Sequence, residues 1–373
     1  MKEPGAHQRK TLSINARAGS ADPPPAQPPA PVVRHVSGVP LYDAELSTPK
    51  SRVCVTGATG YIAGPIIERL LRAGHIVHAT CRDPANTKAL QPLLKLPGAL
   101  ERLRFFRADL TSAGSFDAAI EGCEYVVHVA APVILNGVRR RDGWSRIVEP
   151  MLQGVDNVIG AVNRTPSVRR VVMTSSISAI CTSVRDRPRG HVYGEADWND
   201  SASETYMPYA YGKMLSERRA WELEAQQGRW RLVTVLPSIV FGPTVGECGG
   251  SESVQAVKDA VWPGRMYPAA PNLGMPVVDV RDVAAVHCLA MVLPHARGSF
   301  RPSKRLAPYW VLWLVGPLIG LHRDVISAMR GRSAQFDTSR TAADLGLKEW
   351  LPLADTLEDM VTDMADKGMI KMR

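Results

Sequence analysis

The sequence predicts an α/β chain: a doubly wound parallel sheet, that is a Rossmann fold, with a smaller C-terminal substrate lobe. Three observations predict it. Apolar runs of strand length alternate with helical patterns from Ser51 onward, and crossovers of that length join parallel strands. The first strand passes through two glycines, Gly57 and Gly60, directly into a helical pattern. The composition, 45% hydrophobic and 22% charged over 373 residues, is that of a globular chain long enough for a substantial core.

Residues 1–50 stand apart. The stretch D-P-P-P-A-Q-P-P-A-P-V-V, Asp22 to Val33, is too rich in proline for helix or sheet and too poor in apolar bulk to fold, so a disordered, polyproline-like arm is expected. Ahead of it, R-K-T-L-S-I-N-A-R-A-G-S (9–20) has the Arg, the Ser and the few acids of an organelle transit peptide. A cytoplasmic location is the main expectation, with organelle targeting through this arm as the alternative. The Rossmann domain is expected over 51–240 and the substrate lobe over 241–373, interleaved with the sheet.

Strand one runs from Val53 to Thr56 and turns into a helix over 61–73, which Gly74 stops. Strand two, H-I-V-H-A-T-C, ends before Arg82. A helix over about 86–96 leads to strand three at 103–108, and a short helix near 115–121 to strand four at 125–130. A long helix over 144–163 precedes strand five at 168–175, and strand six, R-L-V-T-V-L-P-S, covers 231–238.

A net charge of +9 would permit nucleic-acid contact, but the basic residues are scattered among acids, which describes a solvated surface with pockets for anions. Six cysteines lie far apart with no C-x-x-C, so neither a zinc site nor a disulfide framework is expected, and a reducing compartment fits. The apolar stretch at 307–322 falls short of the roughly 20 residues a bilayer needs and contains Gly316 and Pro317. A buried helix is expected there, with interfacial membrane contact as the alternative.

A strand entering a helix through glycines gathers backbone N–H groups and the positive end of the helix dipole at one point, where a phosphate can sit. An acid about twenty residues on would hold the ribose hydroxyls of NAD. Here strand two ends at Arg82, with Asp83 one step late. A guanidinium suits a 2′-phosphate, and Lys88 supplies a second cation, so NADP(H) is expected over NAD(H).

Two further motifs carry chemistry. Strand five ends in Thr174, Ser175 and Ser176, and P-Y-A-Y-G-K follows at 208–213. Helical spacing puts Tyr209 and Lys213 on one face. A phenol with a pKa of about 10 can hand a proton to an alkoxide near neutral pH when a neighbouring cation stabilises the phenolate. A serine hydroxyl opposite can hold the carbonyl oxygen.

Taken together, the chain resembles the extended short-chain dehydrogenase/reductases, and within them the dihydroflavonol reductase, cinnamoyl-CoA reductase and yeast-type carbonyl reductase group. The matching motifs are T-G-A-T-G-Y-I-A (56–63), C-R-D-P (81–84), A-D-L (108–110), G-S-F-D-A-A-I-E-G-C (114–123), V-H-V-A-A-P (127–132), T-S-S (174–176), Y-A-Y-G-K (209–213) and V-D-V-R-D-V-A (278–284). The resemblance implies Tyr209 as proton donor, Lys213 as its electrostatic partner and ribose ligand, and Ser176 as the hydroxyl that positions the carbonyl. It implies cofactor contacts from Gly57, Thr59, Gly60, Tyr61 and Ile62, from Asp109 and Leu110 at the adenine, and from Val129, Ala130 and Ala131 along the cofactor. Pro237 and Ser238 would sit beside the nicotinamide.

The expected activity is NADPH-dependent reduction of an aldehyde or ketone on an apolar or aromatic small molecule, with no metal, by a monomer or homodimer. Alternatives are a hydroxysteroid or alcohol dehydrogenase, a nucleotide-sugar epimerase or dehydratase, and a cofactor-sensing scaffold. Some residues depart from the group's pattern. Cys181 stands where flavonoid reductases carry a polar residue, and Tyr206, Met207 and Pro208 differ from cinnamoyl-CoA reductases. Residues 296–305 run almost directly into the apolar stretch, about one strand–helix unit short of the family pattern. That predicts a trimmed substrate lobe or a mis-spliced gene model.

Overall fold

Runs such as Val-Cys-Val and Val-Val-Met lack polar alternation, so they fit strands covered on both faces. The computed structural model places them in the middle of a seven-stranded parallel sheet. It describes residues 33–36, 39–132, 140–183, 186–246, 248, 251–261, 276–301, 305–306, 334–347 and 349–370.

The chain begins with a hairpin of β1 (Val33–Val36) and β2 (Val39–Tyr42), then α1 (Asp43–Ser47). The alternating part follows: β3 (Arg52–Val55), α2 (Ala63–Arg72), β4 (Ile76–Cys81), α3 (Thr87–Leu94), α4 (Ala99–Arg102), β5 (Leu103–Arg107), α5 (Asp117–Ile120), β6 (Tyr125–His128), α6 (Glu149–Arg164) and β7 (Arg170–Thr174). Next come β8 (Val192–Tyr193), α7 (Pro208–Ala225), β9 (Arg231–Val235), β10 (Ile239–Phe241), α8 (Glu252–Val261), β11 (Pro276–Asp279), α9 (Val280–Val292) and β12 (Gly298–Phe300). The last elements are β13 (Arg305–Leu306), β14 (Gln335–Phe336), α10 (Ser339–Leu345) and α11 (Leu353–Asp366).

The sheet order is β12-β9-β7-β6-β3-β4-β5, and every neighbouring pair is parallel. Successive residues of each central strand serve opposite cores. Val53, Val55, Val127, Val172 and Val233 face the layer that contains residues of α2 and α9, whereas Cys54, Val126, Val171 and Leu232 face the layer with residues of α5, α6 and α7. That one-residue alternation is the pleat of a strand buried on both sides. The strand order reverses between β3 and β6, and a crevice opens at the C-terminal ends of two such strands. The two expected cofactor segments, the glycine turn and Val129–Ala131, follow those two strands.

Beyond the sheet, β10 pairs with β11 in parallel and β11 with β13 in antiparallel register. Met360 and Met364 of α11 close a separate core with Val240, Val278 and Val283. Residues 39–50, which composition assigns to a disordered arm, are folded. Leu41 is fully buried, and Glu45 takes a two-pronged contact from Arg69 of α2, Nε to Oε1 at 3.0 Å and Nη2 to Oε2 at 2.6 Å. The ordered fold thus starts before Ser51. Local proline content could not show this, because the partner that buries Glu45 is 24 residues away. The apolar stretch at 307–322 lies outside the described residues, as do residues 302–304 of the segment where a strand–helix unit is expected to be missing. Among the described residues no helix is long and apolar enough to cross a membrane.

Candidate active site

The glycine turn is held from beneath by one hydroxyl. Thr56 is fully buried, and its Oγ1 accepts from the amides of Val129 and Ala130, both at 3.0 Å. Its own proton then points to His128 Nδ1, 2.9 Å away. Burial, helped by the charge of Lys213, pulls His128 down to about 3, so the ring is neutral and can accept. One side chain therefore ties the end of β3 to the end of β6.

Gly57 takes the left-handed conformation, φ +72°, and a Cβ on it would lie 3.0 Å from Ala130 Cβ. No side chain fits there without strain. Its N–H donates to Thr80 Oγ1 at 3.2 Å, and Gly60 N–H donates to Gly57 O at 2.9 Å. Thr59 and Gly60 are exposed and Ile62 is half-buried. Tyr61 is buried, and its hydroxyl donates to Gly242 O at 2.7 Å, bracing the turn against the end of β10. Gly64 N–H donates to Gly60 O at 3.3 Å, and the N-terminal end of α2 brings the positive end of its dipole to the turn, which suits an anion.

At the end of β4, Arg82 is exposed, while Asp83 Oδ1 accepts from the amide of Ala85 at 3.0 Å and so shapes the entry to α3. Lys88 is exposed in the first turn of α3. Asp109 accepts from the hydroxyl of Thr111 at 2.7 Å and its amide at 2.8 Å. Those bonds hold its carboxyl below the ordinary value against a small effect of burial, and Arg82 adds to the lowering. Leu110 O receives Asn157 Nδ2 at 2.7 Å. Val129 to Ala131 are half-buried beyond β6, and Pro237 is buried beyond β9. Ser238 Oγ is buried with no hydrogen-bond partner among the described residues. A turn without side-chain bulk, the N-terminal end of α2 and an unsatisfied hydroxyl beyond β9 fit a bound dinucleotide.

The chemical side is built differently. Helix α7 carries Tyr209, Lys213 and Glu217 four residues apart, and each meets one residue of the T-S-S strand end. The Tyr209 and Ser176 side chains lie within hydrogen-bonding reach. Lys213 Nζ donates to Thr174 O at 3.2 Å, and Ser175 Oγ donates to Glu217 Oε2 at 2.5 Å. Lys213, Ser175 and Glu217 are 4%, 3% and 1% exposed, so these rungs are dry. The Lys213 ammonium stands 5.9 Å from the centre of the Tyr209 ring. Burial lifts the Tyr209 phenol to about 12, opposed by its bond with Ser176. Burial also draws Lys213 down to about 8, opposed by the charge of Glu217.

Local geometry aims these groups. Ser176 caps the 3-10 turn Ile177–Ala179, its Oγ accepting from Ser178 N at 3.1 Å. Met207 sits at φ 55°, ψ 53°, a left-handed conformation that costs a non-glycine residue about 1–2 kcal/mol. It turns the chain so that α7 starts at Pro208 and Tyr209 falls in the first turn. Cys181 is half-buried against the apolar group of Ile180, Tyr193 and Leu236, and burial lifts its thiol to about 12. Sequence reasoning missed Glu217 and Thr56. The signal for Glu217 was its place eight residues after Tyr209, on the same helix face; Thr56 had none beyond standing at the strand end.

The sequence profile of the NAD dependent epimerase/dehydratase family matches residues 53–299. The chain is 34% identical over 327 residues to a cinnamoyl-CoA reductase of Medicago truncatula, with 84% of this chain and 96% of that protein covered. Among solved structures it is similar to vestitone reductase from alfalfa, Medicago sativa, with a TM-score of 0.66 and 27% identity over 86% of this chain and 100% of that one. Yeast methylglyoxal/isovaleraldehyde reductase complexed with NADPH shares the fold, with a TM-score of 0.68 at 21% identity over 86% of this chain and 100% of that one.

Proposed function

The chain belongs to the NAD dependent epimerase/dehydratase family and is an oxidoreductase, and from that premise we propose that it reduces an aldehyde or ketone on an apolar or aromatic small molecule with NADPH. The observation that carries the proposal is the pairing of α7 with the T-S-S strand end, which brings a phenol, a hydroxyl and a buried ammonium together. When bound, the dinucleotide supplies the hydride for the carbonyl carbon. Tyr209, lifted to about 12, keeps its proton at neutral pH and gives it to the carbonyl oxygen as negative charge develops there. Lys213 steadies the phenolate left behind, and the Ser176 hydroxyl donates to the same carbonyl oxygen. Lys213 acts from a buried position, where a fixed charge has more effect than in water.

Arg82 and Lys88 support NADP(H). Asp83 is occupied with the Ala85 amide and Asp109 with Thr111, so the end of β4 can present cations to a 2′-phosphate. The likeness to a cinnamoyl-CoA reductase supports an aromatic substrate. The test is the purified chain with NADPH and a panel of aromatic and aliphatic aldehydes and ketones, followed by loss of NADPH absorbance. Turnover is expected with aromatic members. Tight NADPH binding with no turnover on any carbonyl would overturn the proposal.

A further inference from the structure

We infer that Glu217 is a positioning residue of this site: its buried carboxylate places a fixed negative charge behind the Lys213 ammonium and anchors the turn that carries Ser176. The inference rests on the reductase reading above, since it concerns how that reading's proton donor is supported.

Glu217 Oε2 receives the Ser175 hydroxyl at 2.5 Å, and Oε1 receives Thr234 Oγ1 at 2.9 Å and Trp221 Nε1 at 3.3 Å, with Ser299 Oγ also at 3.3 Å. An indole N–H can only donate, and the hydroxyls turned toward the carboxyl can do the same. Both carboxyl oxygens are thus met by groups able to donate to them. The cavity is therefore shaped for a carboxylate. A buried charge that only neutral donors touch is costly, and its cost falls when a cation stands nearby. Lys213 is that cation, one helical turn before Glu217 and on the same face.

Glu217 is the charge that acts on Lys213, and Arg301 is a second cation near Glu217. On α7 itself the other titratable group facing Lys213 is Tyr209. From β6, His128 faces Lys213 and is neutral. From α9, His287 reaches the site only through Thr174, its Nε2 2.7 Å from Thr174 Oγ1, and burial draws it down to about 4. Beyond β12, Arg301 feels Glu217 together with Glu195, Asp337 and Asp197. The ion pairs from α6 and β9 to α7, Asp156 with Arg219 and Arg231 with Glu224, involve the exposed side of the helix.

The test reads the charge of Lys213 directly. Protein labelled with 15N-lysine is titrated by NMR, and the Lys213 Nζ signal is assigned by its loss in Lys213→Met. Glu217→Gln keeps the shape and removes the charge, so the Lys213 midpoint is expected to fall by about one pH unit, a tenfold loss of proton affinity. The high-pH limb of turnover should move down by the same step. Glu217→Asp withdraws the carboxylate by one methylene and should lower the midpoint by a smaller step, and it carries the test if the glutamine variant does not fold. An unchanged midpoint in a folded variant overturns the inference while leaving wild-type turnover intact. A shifted midpoint in a protein that reduces no carbonyl supports the charge link and overturns the reductase reading instead.

Discussion

The turn after β3 and the inner face of α7 meet at one end of the same sheet, yet they work by opposite means. The turn offers backbone amides, a glycine with no room for a side chain, and the exposed Thr59 and Gly60, with exposed Arg82 at the end of neighbouring β4. The α7 face offers side chains alone, Lys213 and Glu217 buried and Tyr209 half-buried. Water screens the first region and is shut away from Lys213 and Glu217 in the second. A binding surface of amides can be left wet, because helix-end N–H groups keep their direction whether or not solvent reaches them. Proton transfer needs the dry region, since burial is what sets Tyr209 at about 12 and Lys213 at about 8.

The strongest way to break this comparison is Tyr209→Phe. The phenyl ring fills the same space and loses only the hydroxyl beside Ser176. Loss of a general acid costs on the order of 10²–10⁴-fold in rate. Single-turnover reduction should fall by that amount, while NADPH affinity, read by fluorescence titration, stays within about twofold because the glycine turn is untouched. An equal loss of affinity would mean that the two regions are not separable.

Gly57→Val probes the other side. At φ +72° a side chain costs about 1–2 kcal/mol in backbone strain alone, and its Cβ would also press on Ala130 at 3.0 Å. NADPH affinity should drop by about tenfold or more, with a lowered melting temperature. Turnover at saturating NADPH should change by only a few-fold, because the α7 rungs do not include Gly57. A variant that binds normally but reduces slowly would reverse the assignment of roles.

Much of the sheet was legible because its signals are local. Valine runs, Gly57, Gly60 and the stop at Gly74 each reveal an element within a few residues, and the described strands and helices fall close to where periodicity places them. Tyr209 and Lys213 were legible for a similar reason, four residues apart on one helix. What escaped depends on partners far along the chain. Glu45 looks like an arm residue until Arg69 closes on it. Glu217 looks like one more surface acid of a helix that also carries Glu222 and Glu224, until Ser175 and Thr234 enclose it. Thr56 reads as a strand end, and only the return of β6 shows that its hydroxyl holds the amides of Val129 and Ala130.

The mildest change sharpens the comparison most. Arg82 is exposed, so its contact with a 2′-phosphate would be a charge-assisted bond partly screened by solvent. Arg82→Ser should weaken NADPH by about tenfold, or roughly 1.4 kcal/mol, and leave NADH binding nearly unchanged. Maximal turnover should hold, since Ser176, Tyr209 and Lys213 are untouched. Salt then separates the two regions. Raising ionic strength from about 0.01 M to 1 M shortens the screening length from about 30 Å to about 3 Å. The NADPH affinity gap between wild type and Arg82→Ser should narrow over that range, whereas the rate loss of Tyr209→Phe, which removes a neutral hydroxyl, should not move. A salt-independent gap would place Arg82 in a closed contact, and the cofactor side would then be as dry as the catalytic one.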